Sequence, residues 1–346
     1  MLAVDLEARL AELGALVDSW TRAELDQAVS APASTFGAML DYHLGWRDER
    51  LRPLGAPAGS GKKLRPALAL LVCQAVAGVV EPARSAAVAI ELLHNFSLVH
   101  DDIQDRGQLR RHRPALWTLW GLEQGINAGD ALFALAQLAL VRQPTAAAAA
   151  MAAELNRTCL LLVEGQYLDL ELQSGRLPIT LEAYQTMIAR KTGALFACSA
   201  RLGAMAGGAS GEVQDAYARF GLELGLAFQE QDDILGVWGR AEETGKPAAA
   251  DVVERKRGLP AAVALSRADA PAWLTAAYAS GDGAMSSPAV GRVIAHFDAL
   301  GLRPELEAQV AAHYRGARTA LREARPLAPA GDYLAALCET LVSRSA

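Results

Sequence analysis

Cysteine is sparse and badly spaced for any shared task. Cys73, Cys159, Cys198 and Cys338 lie far apart and form no CxxC or zinc-like pair. They read as small buried apolar residues in a reducing compartment, not as a disulfide frame. No stretch reaches the ~18 uncharged apolar residues that a membrane span needs. The Ala-rich run Ala146–Ala153 is too short and reads as a helix of strong formers. A basic surplus is missing as well: the net charge is −6 and the pI is near 5.6. That argues against a nucleic-acid binder, though not against an anionic substrate, because a phosphate site needs only local Lys and Arg. The start, MLAVDLEARLAEL, carries acids early and lacks a basic stretch followed by an apolar run. No secretory signal is expected, and the expected compartment is the cytoplasm. Also scarce are β-branched runs with period-two alternation, repeats of about 20–50 residues, low-complexity tails and long linkers.

What remains is a chain of 346 residues, 52% hydrophobic and 21% charged, the balance of a soluble globular protein. Alanine and leucine dominate. Breakers recur at Pro53–Gly61, Gly121–Gly125, Gly175–Pro178, Gly207–Gly211, Gly281–Pro288 and Pro326–Gly331. The apolar-periodic segments between them run to roughly 15–25 residues, the length of bundle helices. This predicts one large all-α domain over residues 1–346, with residues 1–30 as an N-terminal helical preamble. The length also permits two domains, and the competing reading is a split near Gly207.

The stretch Ala86–Leu98, AAVAIELLHNFSL, is a strongly apolar helix that runs into His100, Asp101, Asp102, Ile103, Gln104 and Asp105. Residues four apart share a helix face, so Asp101 and Asp105 project together and repel. The helix dipole also disfavours anions at a C-terminal end. A cation should compensate, and oxygen-only ligands suit magnesium. Solvated carboxylates at a helix end are the plainer alternative. Arg110, Arg111 and Arg113 follow in LRRHRP. Acids with arginines close behind describe a metal-bridged phosphate site, or else an internal ion pair with the acids.

A second apolar stretch, Phe220–Phe228, leads into FQEQDDILG with Asp232 and Asp233. A loop-like passage over residues 236–260 follows, carrying Lys246 and Lys256. Lysines in flexible Gly-rich surroundings can close over phosphate oxygens; each alone would be a solvated surface residue. Two acidic clusters, each with bases downstream and facing each other across a bundle, would clamp magnesium ions on one diphosphate.

Seven elements in series resemble the trans-isoprenyl diphosphate synthases, or polyprenyl synthetases: GKKLRP at 61–66, ELLHNFSLVHDDIQD at 91–105, LRRHRP at 109–114, GQYLDL at 165–170, KTG at 191–193, FQEQDD at 228–233, and GK at 245–246 with Lys256 beyond. The resemblance runs from about Gly59 to Pro260. It implies a helical bundle with a central cavity and a homodimer; no amphipathic basic anchor is visible in the sequence, so membrane attachment is not expected. It also implies three magnesium ions, held by Asp101, Asp105 and Asp232, with Asp102 and Asp233 as weaker or supporting ligands. Arg110, Lys191 and Lys246 would hold an allylic diphosphate, with Lys256 closing over it. Lys62, Arg65, His94 and Arg111 would bind isopentenyl diphosphate. Thr192 and Gln229 would lie near the reacting carbons, and Gln166 would line the pocket. By itself His94 would read as a satisfied core histidine. The implied reaction is ionisation, condensation and elimination, with the departing diphosphate as base.

Two departures stand out. Gly236 replaces the last aspartate of a second DDxxD, and His112 stands where many relatives carry glycine. Phe96 and Ser97, five and four residues before Asp101, with nothing inserted in DDIQD, resemble short-chain enzymes making geranylgeranyl diphosphate, with farnesyl diphosphate second. A floor deeper down, at Ala131–Leu138, would permit a longer product. A terpene cyclase would have no use for Lys62, Arg65, His94 and Arg111, a non-catalytic synthase subunit would lack the first aspartate motif, and a helical scaffold would need neither acidic cluster.

Overall fold

The alanine- and leucine-rich segments fold as helices, and the breakers Gly175–Pro178 and Gly207 fall between them, whereas Gly125 lies within a helix. The computed structural model describes residues 5–28, 35–55, 57–58, 61–142, 146–240, 247–279 and 283–343. In chain order the helices are α1 Leu6–Ala28, α2 Thr35–His43, α3 Leu64–Ala77, α4 Arg84–Gln104, α5 Leu116–Trp120, α6 Leu122–Val141, α7 Ala148–Ser174, α8 Leu181–Ile188, α9 Ala194–Ala206, α10 Gly211–Trp238, α11 Ala250–Val253, α12 Leu259–Ser266, α13 Ala272–Ala279, α14 Ser287–Ala299, α15 Leu302–Ala324 and α16 Ala330–Ser343. The class is all-α, as expected. One small feature was not: a two-stranded antiparallel hairpin, β1 Leu109–Arg110 with β2 Arg113–Pro114.

Two compact units are present. The first comprises residues 1–159, 198–218 and 323–336; the second comprises 160–197, 219–322 and 337–346. Residues on both sides of Gly207 fall in the first unit, so no boundary lies there.

In the first unit, α4 is apolar nearly all round over Ala86–Leu93, the mark of a core helix, and every residue of that stretch is buried. It packs against α1, α3 and α6. Its approach to α6 is close: a Cβ on Gly129 would come within 2.2 Å of the His100 ring. In the second unit, α10 meets α9 through glycine in the same way, since a Cβ on Gly221 would lie 2.4 Å from the Phe196 carbonyl oxygen. Between α8 and α9, Ala189–Gly193 winds as a π-helical turn, a widening often found at functional positions. The four cysteines are free and buried. Among the described residues, no helix is long and apolar enough to cross a membrane.

Candidate active site

The first aspartate segment occupies the last turn of α4. Asp105 donates its N–H to the Asp101 carbonyl at 2.8 Å, so the two stand one turn apart on one face. Asp101 is half-buried and Asp105 exposed, whereas Asp102 turns inward and is buried. Arg110, on β1, donates to Asp102 Oδ1 through Nε at 2.9 Å and Nη2 at 2.5 Å. Burial raises the Asp102 carboxyl above its ordinary range, opposed by Arg110. The internal ion pair weighed for the arginines is therefore present for Arg110. Arg113 serves the scaffold: it donates to the Tyr42 and Ala58 carbonyls at 3.1 and 3.2 Å and lies 4.1 Å over the Tyr42 ring.

Arg111 sits at the tip of the hairpin with His112, at φ 51° and 64°. Two successive left-handed residues form the turn that suits a tight hairpin, and such turns favour Gly or Asn. The glycine-to-histidine departure thus falls where glycine would be least strained. Gly61, itself at φ 73°, lies so close that a Cβ there would meet the Arg111 guanidinium at 2.7 Å.

Behind Arg111 lies a basic cluster. Arg65 Nη1 and His94 Nε2 are 3.5 Å apart. His94 is held well below its ordinary pKa by burial and then by Arg65, Arg111, Arg110 and His43. Burial also brings Arg65 down to about 10. His43, at the end of α2, is lowered to about 3 by burial, Arg111 and Arg110. Sequence reasoning missed His43, since no spacing ties it to residues on other elements. It also missed Lys63, whose buried ammonium lies 3.0 Å from both Glu91 and Asp18. Lys62 faces outward. Phe96 meets the His100 ring edge-on at 4.8 Å and Phe133 at 5.4 Å, so it touches the deeper stretch Ala131–Leu138. Ser97 Oγ donates to the His94 carbonyl at 2.7 Å.

The second aspartate segment lies on α10 and divides in the same way. Asp232 is exposed and Asp233 is 2% exposed. Asp233 accepts from Tyr184 Oη (2.8 Å), Gln229 Nε2 (3.0 Å), Lys256 Nζ (3.0 Å) and Leu259 N (2.9 Å). Burial alone would raise its pKa, yet Lys256 and the other donors hold it below the ordinary value. Gln229 also accepts from Thr192 Oγ1 at 2.9 Å, linking the π-helical turn to α10. Lys191 Nζ, on that turn, donates to Asp169 Oδ2 at 2.6 Å. Gln166 is buried, and neither polar atom of its side-chain amide has a hydrogen-bond partner among the described residues. Such a group calls for water or a ligand. Lys246 lies outside the described residues. Tyr184 and Asp169 were not legible as partners, being separated in sequence from what they hold.

The passage over residues 236–260 is loop in part, as expected: residues 239–240, 247–249 and 254–258 are non-helical, while α10 continues through Trp238, a short α11 forms at Ala250–Val253 and α12 begins at Leu259. Arg255 donates to the Ala277 carbonyl at 2.9 Å and Arg257 to the Tyr278 carbonyl at 3.0 Å. Lys256, between two anchored arginines, is therefore held and not loose.

Among the described residues, no three carboxylate, imidazole or thiol groups converge as a ready-made metal cage. Magnesium favours one or two carboxylates completed by water and substrate phosphates. Asp101, Asp105 and Asp232 offer oxygens of that kind.

Comparison with known proteins gives the same family. Residues 54–287 match the family described as Polyprenyl synthetase. A (2E,6E)-farnesyl diphosphate synthase of Mycobacterium bovis is 42% identical over 222 residues, 64% of this chain and 61% of its own; the chain thus spans about three fifths of that relative. A polyprenyl synthetase from Streptomyces coelicolor A3(2) superposes with a TM-score of 0.88 at 33% identity, over 98% of this chain and all of that one. A geranylgeranyl pyrophosphate synthase from Corynebacterium glutamicum, solved with isoprenyl diphosphate and magnesium, gives 0.81 at 25% identity over 99% and 100%. With the aspartate segments, the basic cluster and the family match in one register, the chain belongs to the polyprenyl synthetase family.

Proposed function

We propose that the chain is a prenyltransferase that condenses isopentenyl diphosphate with an allylic diphosphate, giving a short-chain all-trans prenyl diphosphate. The observation that carries this reading is the basic cluster of Arg65, His94 and Arg111 in the same unit as the first aspartate segment. An enzyme acting on one diphosphate needs acids for its metal and a few bases. A further cluster beside an intact metal motif supports a second anionic substrate.

In this reading Lys62, Arg65, His94 and Arg111 take the diphosphate of isopentenyl diphosphate, His94 as a neutral imidazole able to donate a hydrogen bond. Arg110, Lys191, Lys246 and Lys256 take the allylic diphosphate. Asp101, Asp105 and Asp232 are the ligands for magnesium, three ions in all, while Asp102 and Asp233 orient Arg110 and Lys256. Magnesium, when bound, neutralises charge on the leaving diphosphate. The allylic C–O bond breaks and its electron pair departs with diphosphate. Thr192 and Gln229 turn oxygen dipoles toward the resulting cation. The double bond of isopentenyl diphosphate attacks, a C–C bond forms, and the released diphosphate removes the proton.

Geranylgeranyl diphosphate is the product this reading favours, with farnesyl diphosphate second. Phe96 supports a short chain, because its ring stands against Phe133 little more than a turn before Asp101. The exposed apolar residues of α7, Leu160, Val163 and Tyr167, support a homodimer. Incubation with isopentenyl diphosphate, magnesium and each allylic primer, followed by product chain-length analysis, tests the reading; no elongation with any primer sinks it.

A further inference from the structure

The acid missing from the second aspartate segment has a counterpart elsewhere in the chain. Residue 236 stands one turn beyond Asp232, on the same face of α10. A Cβ on Gly236 would lie 2.2 Å from Oδ2 and 2.4 Å from Cγ of Asp251. The buried carboxylate of Asp251, from α11, therefore fills the volume into which residue 236 would project a side chain. Its Oδ2 accepts from Lys256 Nζ at 3.0 Å, and the same ammonium reaches Asp233 Oδ1 at 3.0 Å. A lysine side chain has four rotatable bonds and much rotamer freedom to lose on being fixed. Two carboxylates, with Arg255 and Arg257 anchored on either side, remove that freedom in advance. Lys256 remains 34% exposed, so an arriving anion meets a preset charge.

We propose that Asp251 supplies the acid that Gly236 leaves out of the second aspartate segment, and that it is the positioning residue for Lys256. Gly236 and Asp251 then form a coupled pair: a side chain at one position requires the other to yield. The inference rests on the diphosphate-binding reading above.

The test uses the full chain with Asp251→Asn, Asp251→Gly, Gly236→Asp and the exchange Gly236→Asp/Asp251→Gly. Binding of inorganic pyrophosphate with magnesium is measured by calorimetry, beside thermal melts and the KM and kcat for an allylic diphosphate. Asp251→Asn keeps the shape and is expected to weaken pyrophosphate binding about tenfold, the size of one charge-assisted hydrogen bond. It should raise KM more than it lowers kcat and leave the melt nearly unchanged. Gly236→Asp alone should lower the melting temperature through crowding. The exchange should recover both the melt of Gly236→Asp and the binding lost in Asp251→Gly. Wild-type binding in Asp251→Asn, an exchange no better than Asp251→Gly, or a wild type that does not bind magnesium pyrophosphate overturns the proposal. A wild type that binds pyrophosphate through Asp251 yet elongates no primer sinks the condensation reading and leaves this one standing.

Discussion

Each adjacent aspartate pair splits its labour, and the split decides what a substitution does. Asp101 and Asp102 are neighbours on a helix and so point about 100° apart. One can face a ligand only while the other faces the protein. Asp102 takes Arg110 and Asp233 takes Lys256, while Asp105 and Asp232 are exposed and Asp101 is half-buried. That the pairs diverge was legible in the sequence. Which member turns inward follows from bases several residues away, and the resemblance already gives Asp102 and Asp233 the supporting places. At this scale His112 is strained at φ 64°. His112→Gly removes a left-handed penalty of ~1–2 kcal/mol and adds ~0.4–1 kcal/mol of unfolded-state entropy. The expected net is a gain of about 0.5–1 kcal/mol in urea unfolding; a loss would mean that the imidazole makes a stabilising contact. Phe96 carries the length argument. Phe96→Ala opens the space against Phe133 and should lengthen the main product, read by chromatography of the dephosphorylated alcohols, whereas an unchanged distribution would move the floor to other residues.

Helices α4 and α10 were readable because an apolar run ending in paired acids is a strong pattern. The π-helical turn at Ala189–Gly193 and the hairpin over 109–114 were not. The first lies close against α7, where a Cβ on Gly165 would sit 2.3 Å from the Lys191 backbone nitrogen, a contact between segments distant in sequence. The second depends on left-handed residues that carry no glycine signal. Another element-level feature was equally invisible: α15 is latched to α10. His313 lies 2.7 Å from Glu223 and 3.5 Å from the buried Glu230, and Gln309 donates to Glu230 at 2.6 Å. The hydrogen bonds to Glu223 and Glu230 raise the His313 pKa to about 9, above its ordinary ~6.5. The folded state therefore favours the charged ring. This stabilisation is complete below pH 6.5 and fades as pH rises through about 9. Urea unfolding should show a loss on the order of 2 kcal/mol across that window, absent in His313→Gln. An equal pH dependence in both proteins would place the proton elsewhere.

For the molecule as a whole, the family register was readable in short motifs, while partners that fix them come from other parts of the chain: Tyr184, which donates to Asp233, and Asp169, which accepts from Lys191, are both remote in sequence from the residues they hold. Assembly is legible only as exposed apolar surface on α7, where Leu160 is 66% and Tyr167 60% exposed. The homodimer reading expects light scattering near twice the 36.5 kDa of one chain, and a shift toward monomer in Leu160→Glu/Tyr167→Glu; an unaltered mass in that variant would put the interface on another face. The measurement that tests the central claim most directly is a paired assay with magnesium, using wild type and Arg111→Ala. The wild type should elongate an allylic diphosphate only when isopentenyl diphosphate is present, with geranylgeranyl diphosphate as the main product. Arg111→Ala should raise the KM for isopentenyl diphosphate about tenfold or more, and that for the allylic substrate much less. Cyclic or hydrolysed product from the allylic diphosphate alone, or no elongation with any primer, would contradict the account.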